Sequence, residues 1–259
     1  MPFVSPKVFA KQTIAAVQEY SILSWHAVAN MFSRPRYWAD IFTQMDSIGV
    51  GSMPIVVLTG FFTGCVLALQ SATSLQQFGA VSMTGNLVAL SMVKELGPVL
   101  TGLMVSGRNA SGMASEIGSM KVTEQIDAMR ALGTDPLRKL VTPRLYATIF
   151  MLFFLTILSD AVGIAGGALV SVSLLGLNAS SYFHNSYRAL QYGDVVQGLT
   201  KPLFSGFIIA TVGCYFGMNT KGGTQGVGRA TTQAVVISSV FIIIVDFVVS
   251  RAMIGIFGR

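Results

Sequence analysis

Charged residues are scarce in this chain. Only 11% of its 259 residues are Asp, Glu, Lys or Arg, while 52% are hydrophobic, and the mean hydropathy is +0.65. A soluble domain needs a more polar surface than this composition provides. The sequence therefore predicts an integral membrane protein. The first ten residues contain no continuous apolar run, so we expect insertion through internal spans and no cleaved signal.

Cysteine is rare as well. Cys65 and Cys214 lie in apolar segments without the spacing of a disulfide framework or a metal site, and we expect them to pack as small apolar residues. No G-x-x-x-x-G-K-[ST] phosphate loop occurs, which excludes ATP binding of that kind in this chain. Ser106 and His184 lack the surroundings of an intramembrane serine protease. We expect no catalysis by this chain and no cofactor or metal in it.

Long apolar runs are the main feature of the sequence. About 20 apolar residues cross the hydrocarbon of a bilayer, and five stretches meet that length: 48–69, 85–107, 145–175, 199–218 and 234–257. The third is long enough to tilt or to break near Gly163, although a sixth crossing is not favoured. The predicted fold class is an all-α integral membrane protein of about five transmembrane helices. We expect one domain over residues 1–259, with an interfacial region at 1–47 and a transmembrane region at 48–259.

The N-terminal segment has its own pattern. Apolar or small residues recur there at helical spacing, at Ile14, Val17, Ser21, Trp25, Val28 and Phe32. This pattern predicts an amphipathic helix at the membrane surface. Amphipathicity alone leaves open a helix that packs against the rest of the protein.

A charged segment separates the second and third spans. Lys and Arg are concentrated between residues 108 and 144, whereas the loop at 71–84 has no charge. Because cytoplasmic loops hold the excess of Lys and Arg, we place residues 108–144 in the cytoplasm, and the loops at 71–84 and 176–197, which carry little or no charge, on the outer side. The segment from Glu124 to Leu132 has helical length, and Gly133 with Pro136 provides a stop signal. A short cytoplasmic helix between spans is a means of receiving force from an ATPase.

Four ionisable residues fall inside or beside the spans, namely Lys94, Glu95, Asp160 and Asp246. Each costs a few kcal/mol at mid-bilayer unless it faces a cavity or a partner. Gly97 and Pro98 follow the first two and should bend the span, because proline frees a backbone carbonyl. One interpretation is a wet cavity in which Lys94 meets an anionic head group and Glu95 tunes it. The other is an interhelical pair with Asp160 or Asp246, and the sequence favours neither.

Small residues recur at helix-packing spacing in three glycine pairs. These pairs are Gly60 with Gly64, Gly163 with Gly167, and Gly213 with Gly217. We expect packing within the bundle, with dimer contacts as the alternative.

Several motifs together resemble one family, the MlaE (YrbE-type) permeases. The resemblance runs from about residue 48 to 257 and is dense, whereas the N-terminal segment matches loosely. The motifs are Lys94-Glu95-Leu96-Gly97-Pro98, Gly107-Arg108-Asn109-Ala110, Glu116-Ile117-Gly118-Ser119-Met120, Thr123-Glu124-Gln125-Ile126-Asp127-Ala128-Met129, Asp135-Pro136-Leu137 and Gly228-Arg229-Ala230-Thr231-Thr232.

The resemblance implies the homodimeric membrane core of an ABC transporter in the inner membrane of a Gram-negative bacterium. Such a transporter moves phospholipid between the inner and outer membranes and maintains the lipid asymmetry of the outer membrane. The partners that it implies are a cytoplasmic ATPase subunit carrying ATP and Mg, a STAS-domain subunit and a periplasmic ring of MCE-domain subunits.

The resemblance also implies residue roles. Phospholipid contacts would fall on Leu67, Leu75, Phe78, Lys94 and Glu95, in an outward-facing pocket. The helix that couples to the ATPase would contain Glu124, Gln125, Ile126, Asp127, Ala128 and Met129. Lys94 departs from relatives that carry arginine, and lysine lacks the bidentate grip of arginine on phosphate.

Two other classes of protein compete with this expectation. A secondary transporter would relay protons or sodium through Glu95, Asp160 and Asp246, but no inverted repeat is evident and the charged helix has no role in it. A membrane scaffold without a substrate pocket would tolerate any polar pair at positions 94 and 95.

Overall fold

The computed structural model describes residues 6–31, 33 and 37–257, and within these it contains helices and no strands. Five helices are long and apolar enough to cross a membrane. They begin and end as follows: α2 at Trp38–Gln76, a composite second span at Val81–Val122, a third at Leu137–Ser173, α9 at Tyr192–Met218 and α10 at Gly223–Phe257. The prediction of an all-α membrane protein with five spans is confirmed.

The second and third spans are built from several segments. A 3₁₀ turn at Val81–Met83 opens the second span, which continues through α3 (Thr84–Ser91), α4 (Gly97–Val105) and α5 (Ser111–Val122). Its segments are joined by π-helical turns at Met92–Leu96 and Ser106–Ala110, and a third π turn at Leu137–Val141 precedes α7 (Thr142–Ser173). Such turns are frequent at functional sites.

Three helices do not count as spans. These are α1 at Pro6–Met31, α6 at Gln125–Ala131 and α8 at Ala179–Ala189. α1 packs on the bundle through Leu23 and Ala27, which are buried, while Ile14, Val17 and Trp25 of the predicted apolar face are exposed. The helix therefore joins the core along one face and keeps a second apolar face outside it. Phe32 lies outside the described residues.

Glycines bring α2 and α7 into backbone contact. A Cβ atom at Gly64 would lie 1.8 Å from the carbonyl oxygen of Gly163, and one at Gly60 would lie 2.9 Å from that of Ser159. α9 meets α5 in the same manner, since a Cβ atom at Gly217 would lie 2.8 Å from the side chain of Ile117. All three predicted glycine pairs thus serve packing within one chain.

Four features differ from the predictions. The second span does not end at residue 107, because the helix continues through Arg108 to Val122. α7 runs unbroken past Gly163, which packs on α2 and does not interrupt the helix. The predicted outer loop at 176–197 contains α8, in which Tyr182 and Ser186 are buried. α10 starts at Gly223, within the glycine-rich stretch predicted as loop.

The exposed surface marks the depth of the membrane. On α2 the exposed aromatic residues Trp38 and Phe42 are followed by the exposed polar residues Asp46 and Ser47. The large exposed side chains are then apolar from Val50 to Leu69, a length of about 30 Å at 1.5 Å per residue. This equals the hydrocarbon thickness of a bilayer. α7 has an exposed apolar stretch of similar length, from Phe150 to Val172. We call this belt the apolar zone.

Candidate functional site

A buried lysine gathers the charges of three helices inside the apolar zone. Lys201 of α9 is only 2% exposed, and its ammonium group forms ion pairs with Glu95 of the second span and with Asp246 of α10, the latter at 2.9 Å. Glu95 also accepts hydrogen bonds from Gln197 at 3.4 Å and Ser250 at 3.1 Å. We call Glu95, Lys201 and Asp246 the charge cluster.

The π turn at Met92–Leu96 contains a backbone carbonyl that this lysine binds. Pro98 has no N–H, so it cannot donate to the carbonyl of Lys94 four residues earlier. The Lys201 ammonium donates to that carbonyl instead, at 2.7 Å. One lysine thus satisfies a freed backbone oxygen and two carboxylates, and it ties α9 to the bend in the second span.

Lys94 has a different partner. Its ammonium lies 2.9 Å from Asp194, in the first turn of α9. The two neighbouring charges of the Lys94-Glu95 motif therefore diverge, one toward the outer end of α9 and the other into the charge cluster. A head group that binds Lys94 has to compete with Asp194.

Asp160 stands apart from the charge cluster. Its side chain is buried and its Oδ1 atom makes no hydrogen bond to any described residue. This oxygen faces the backbone of the second span, since a Cβ atom at Gly97 would lie 1.7 Å from it. Of the two pairings predicted for the Lys94-Glu95 motif, the structure brings Asp246 to Glu95 through a shared lysine and leaves Asp160 out.

The sequence reasoning missed two residues, Lys201 and Asp194. Lys201 satisfies the criterion that selected the other ionisable residues, because it lies inside the predicted span 199–218 and precedes a proline. Asp194 lies in a segment predicted as an outer loop, and no local pattern connects it with Lys94.

An open groove lies between α2 and the second span. It has a volume of about 320 Å³ and is lined by Leu67, Leu96 and four other residues of α2: Phe62, Thr63, Val66 and Gln70. Leu67 thus lines the groove together with Leu96, the residue that follows Glu95 in the sequence. Leu75 is half-buried elsewhere on α2 and Phe78 is 81% exposed after its end, so neither lines the groove.

The short helix α6 packs on the opposite end of the bundle. Ile126 is fully buried in the core of this chain, and Met129 packs against the same core. Glu124, Gln125, Asp127 and Ala128 are exposed. Gly133 follows with φ +76, which confirms the predicted stop. Leu132 is 84% exposed and supplies an apolar tip that the motif did not identify.

Charged side chains brace this helix. Lys121 lies 2.9 Å and Arg130 3.2 Å from the carboxylate of Asp127. The hydrogen bond from Lys121 lowers the pKa of Asp127, and the positive charges of both partners act in the same direction. Asp127 stays ionised well below neutral pH, so the bracing persists across the physiological range.

The fold and the site define a class: a helical multi-pass membrane protein with ionisable side chains buried between its spans, a feature common in membrane transport proteins. The sequence profile described as Permease MlaE matches residues 41–252. The chain belongs to the MlaE permease family.

Individual relatives agree with this membership. A "Probable ABC transporter permease protein" of Rickettsia bellii is 43% identical over 244 residues, 93% of this chain and 94% of that protein. The "Intermembrane phospholipid transport system permease protein MlaE" of Haemophilus influenzae is 36% identical and covers 82% of each chain. "Protein TRIGALACTOSYLDIACYLGLYCEROL 1, chloroplastic" of Arabidopsis thaliana is 36% identical over 88% of this chain and 65% of its own length.

Proposed function

We propose that the chain is the permease subunit of an ABC transporter that moves phospholipids between the inner and outer membranes of a bacterium and so maintains outer-membrane lipid asymmetry. The names of the Haemophilus and Rickettsia relatives support this assignment. The observation that carries it is the open groove lined by Leu67 and Leu96, the latter next in the sequence to the charged pair Lys94 and Glu95. A phospholipid needs this combination of apolar walls and a few polar groups.

The assembly follows from the same proposal. The chain forms a homodimer in the inner membrane, with an ATPase subunit that binds ATP and Mg, a STAS-domain subunit and a periplasmic MCE-domain ring. Phospholipid occupies the groove, with Leu75 and Phe78 at its outer approach and Lys94 and Glu95 near its head group. Closure of the ATPase displaces α6, narrows the groove and expels the lipid.

The groove is tested by filling it. Leu67→Arg places a long cation among apolar walls, and we expect the phospholipid that co-purifies with the chain to fall about tenfold, which corresponds to about 1.4 kcal/mol. Extraction and quantification of lipid from the protein purified in mild detergent measures this. Thr43→Arg adds the same charge at an exposed position near the other end of α2 and should retain its lipid. Equal lipid in both variants would remove the groove from the proposal.

The ATPase contact is tested at the exposed tip of the helix. Leu132→Asp should lower recovery of the ATPase with the tagged chain about tenfold, because the residue is 84% exposed and its loss leaves the core intact. Leu174→Asp, at an exposed leucine beyond α7, is the matched control. Ile126→Asp is unsuitable, because it buries a charge in the core of the chain itself. Undiminished recovery of the ATPase with Leu132→Asp would place the contact elsewhere.

The ion-coupled secondary transporter stays the second candidate because Asp160 is buried and its Oδ1 atom makes no hydrogen bond to any described residue. The other two carboxylates of that mechanism, Glu95 and Asp246, share Lys201, which compensates part of their charge. Lipid movement in reconstituted vesicles separates the two functions. Movement that requires ATP and the ATPase subunit supports the permease, and movement that follows a proton or sodium gradient supports the alternative.

A further inference from the structure

An arginine lies exposed at one edge of the apolar zone, far from the groove. Arg108 belongs to the π turn at Ser106–Ala110, and its guanidinium reaches the surface of α2 beside Gly51. Gly51 lies one turn after the exposed polar residues Asp46 and Ser47 and next to Val50, the first residue of the longest exposed apolar stretch of α2. Before Asp46, the exposed large apolar side chains of α2 are the aromatic residues Trp38 and Phe42. Arg108 therefore lies at the level of lipid head groups, at the end of the bundle that the charge distribution assigns to the cytoplasm.

The guanidinium is held through one of its nitrogens. Nη1 donates to the Ser47 carbonyl at 2.9 Å, to Ser52 Oγ at 3.1 Å and to Asn109 Oδ1 at 3.3 Å. Nε and Nη2 make no hydrogen bond to the described residues, and no carboxylate among those residues forms an ion pair with Arg108. The side chain is held on α2, the residue is exposed, and its remaining donors have no partner among the described residues.

The neighbouring residues leave room for this arrangement. A Cβ atom at Gly51 would lie 2.3 Å from Nη2, so any larger residue there would push the guanidinium away from α2. On the adjacent side, a Cβ atom at Gly107 would meet no heavy atom within 4 Å, which leaves that side open. Val50 and Met53 are exposed on the surface of α2 next to the site and continue into the apolar zone.

We propose that Arg108 binds the phosphate group of a phospholipid in the cytoplasmic leaflet, with an acyl chain along Val50 and Met53. Arginine donates to phosphate oxygens through two nitrogens at once, and the two open nitrogens supply that pairing. An unpaired cation at the hydrocarbon edge is costly, and a lipid phosphate compensates it. This site lies about 20 Å from Lys94 along the second span and does not depend on transport through the groove.

Native mass spectrometry of the full-length chain tests the site, with phosphatidylglycerol and inorganic phosphate added in separate titrations. Arg108→Gln should weaken phosphatidylglycerol binding about tenfold and remove one tightly bound lipid per chain. Arg108→Lys should retain part of the phosphatidylglycerol binding. Gly51→Val keeps the charge but displaces the guanidinium, and it should also lose the lipid. Arg188→Gln, an exposed arginine on α8, is the matched control and should bind as the wild type does.

Three outcomes would overturn the proposal. Equal lipid binding by the wild type and Arg108→Gln would show that the arginine makes no lipid contact. Displacement of the lipid by inorganic phosphate at equal concentration would identify a site for free phosphate. Separation of a dimer by Arg108→Gln, with lipid binding unchanged, would mean that a carboxylate of a second copy occupies the guanidinium. None of these results affects the groove, which Leu67→Arg tests independently.

Discussion

Replacing Lys201 with methionine should destabilise the folded chain by about 3–5 kcal/mol. Methionine has a similar length and no charge, so packing is largely retained while the carboxylates of Glu95 and Asp246 lose their shared cation. The carbonyl of Lys94 also loses its hydrogen bond, since Pro98 has no N–H to donate to it. Thermal unfolding of the protein purified in mild detergent measures the loss.

Further substitutions separate charge from packing in this experiment. Adding Glu95→Gln and Asp246→Asn to Lys201→Met should recover part of the lost stability, because the carboxylates left uncompensated are then neutral. Lys221→Met removes an exposed lysine beyond α9 and should leave the melting temperature unchanged. A melting temperature of Lys201→Met equal to that of the wild type would show that the charge cluster does not stabilise the fold.

Gly64→Ala should destabilise the protein by about 3 kcal/mol, at the upper end of the usual effect of overpacking. The added Cβ atom would lie 1.8 Å from the backbone oxygen of Gly163, and backbone atoms cannot move aside as a flexible side chain can. α2 and α7 must then separate along their contact. The same thermal unfolding in detergent measures the effect.

Gly228→Ala is the matched control for that change. Gly228 also lies inside a helix, but a Cβ atom there would meet no heavy atom within 4 Å. Alanine favours the helix over glycine by up to about 1 kcal/mol at both positions. The control should therefore be neutral or slightly stabilising, and the difference between the two variants isolates the close approach of the helices. Equal changes in melting temperature for Gly64→Ala and Gly228→Ala would contradict the close approach of the helices as the cause.

The sequence predicted those features that depend on residues close together in the chain. Hydropathy over about 20 residues found the five spans, glycine spacing found the packing faces, and Gly133 marked the end of α6. The segment at Arg108 was predicted as loop because charge usually ends a span. The structure continues the helix there, since the guanidinium bonds to Ser47 and Ser52 of α2.

The candidate site was less predictable, because its contacts join distant parts of the chain. Glu95 and Lys201 are 106 positions apart, and Lys94 meets Asp194 in a segment that had no apolar pattern. Pairing of this kind depends on how α9 packs against the second span. The role of Ile126 shows the same limit: its motif suggested a surface contact, whereas its side chain fills the core of this chain.

The continuity of the second span has a mechanical consequence. From Glu95 to Val122 the chain is helical without a loop, a distance of about 40 Å. Glu95 of the charge cluster and the residue after which α6 follows therefore lie at the two ends of one helical segment. A tilt of this segment by ~4° moves one end about 3 Å relative to the other. The π turn at Ser106–Ala110 lies between these two ends, and Arg108 of this turn forms a hydrogen bond with α2. The segment would therefore tilt about this contact.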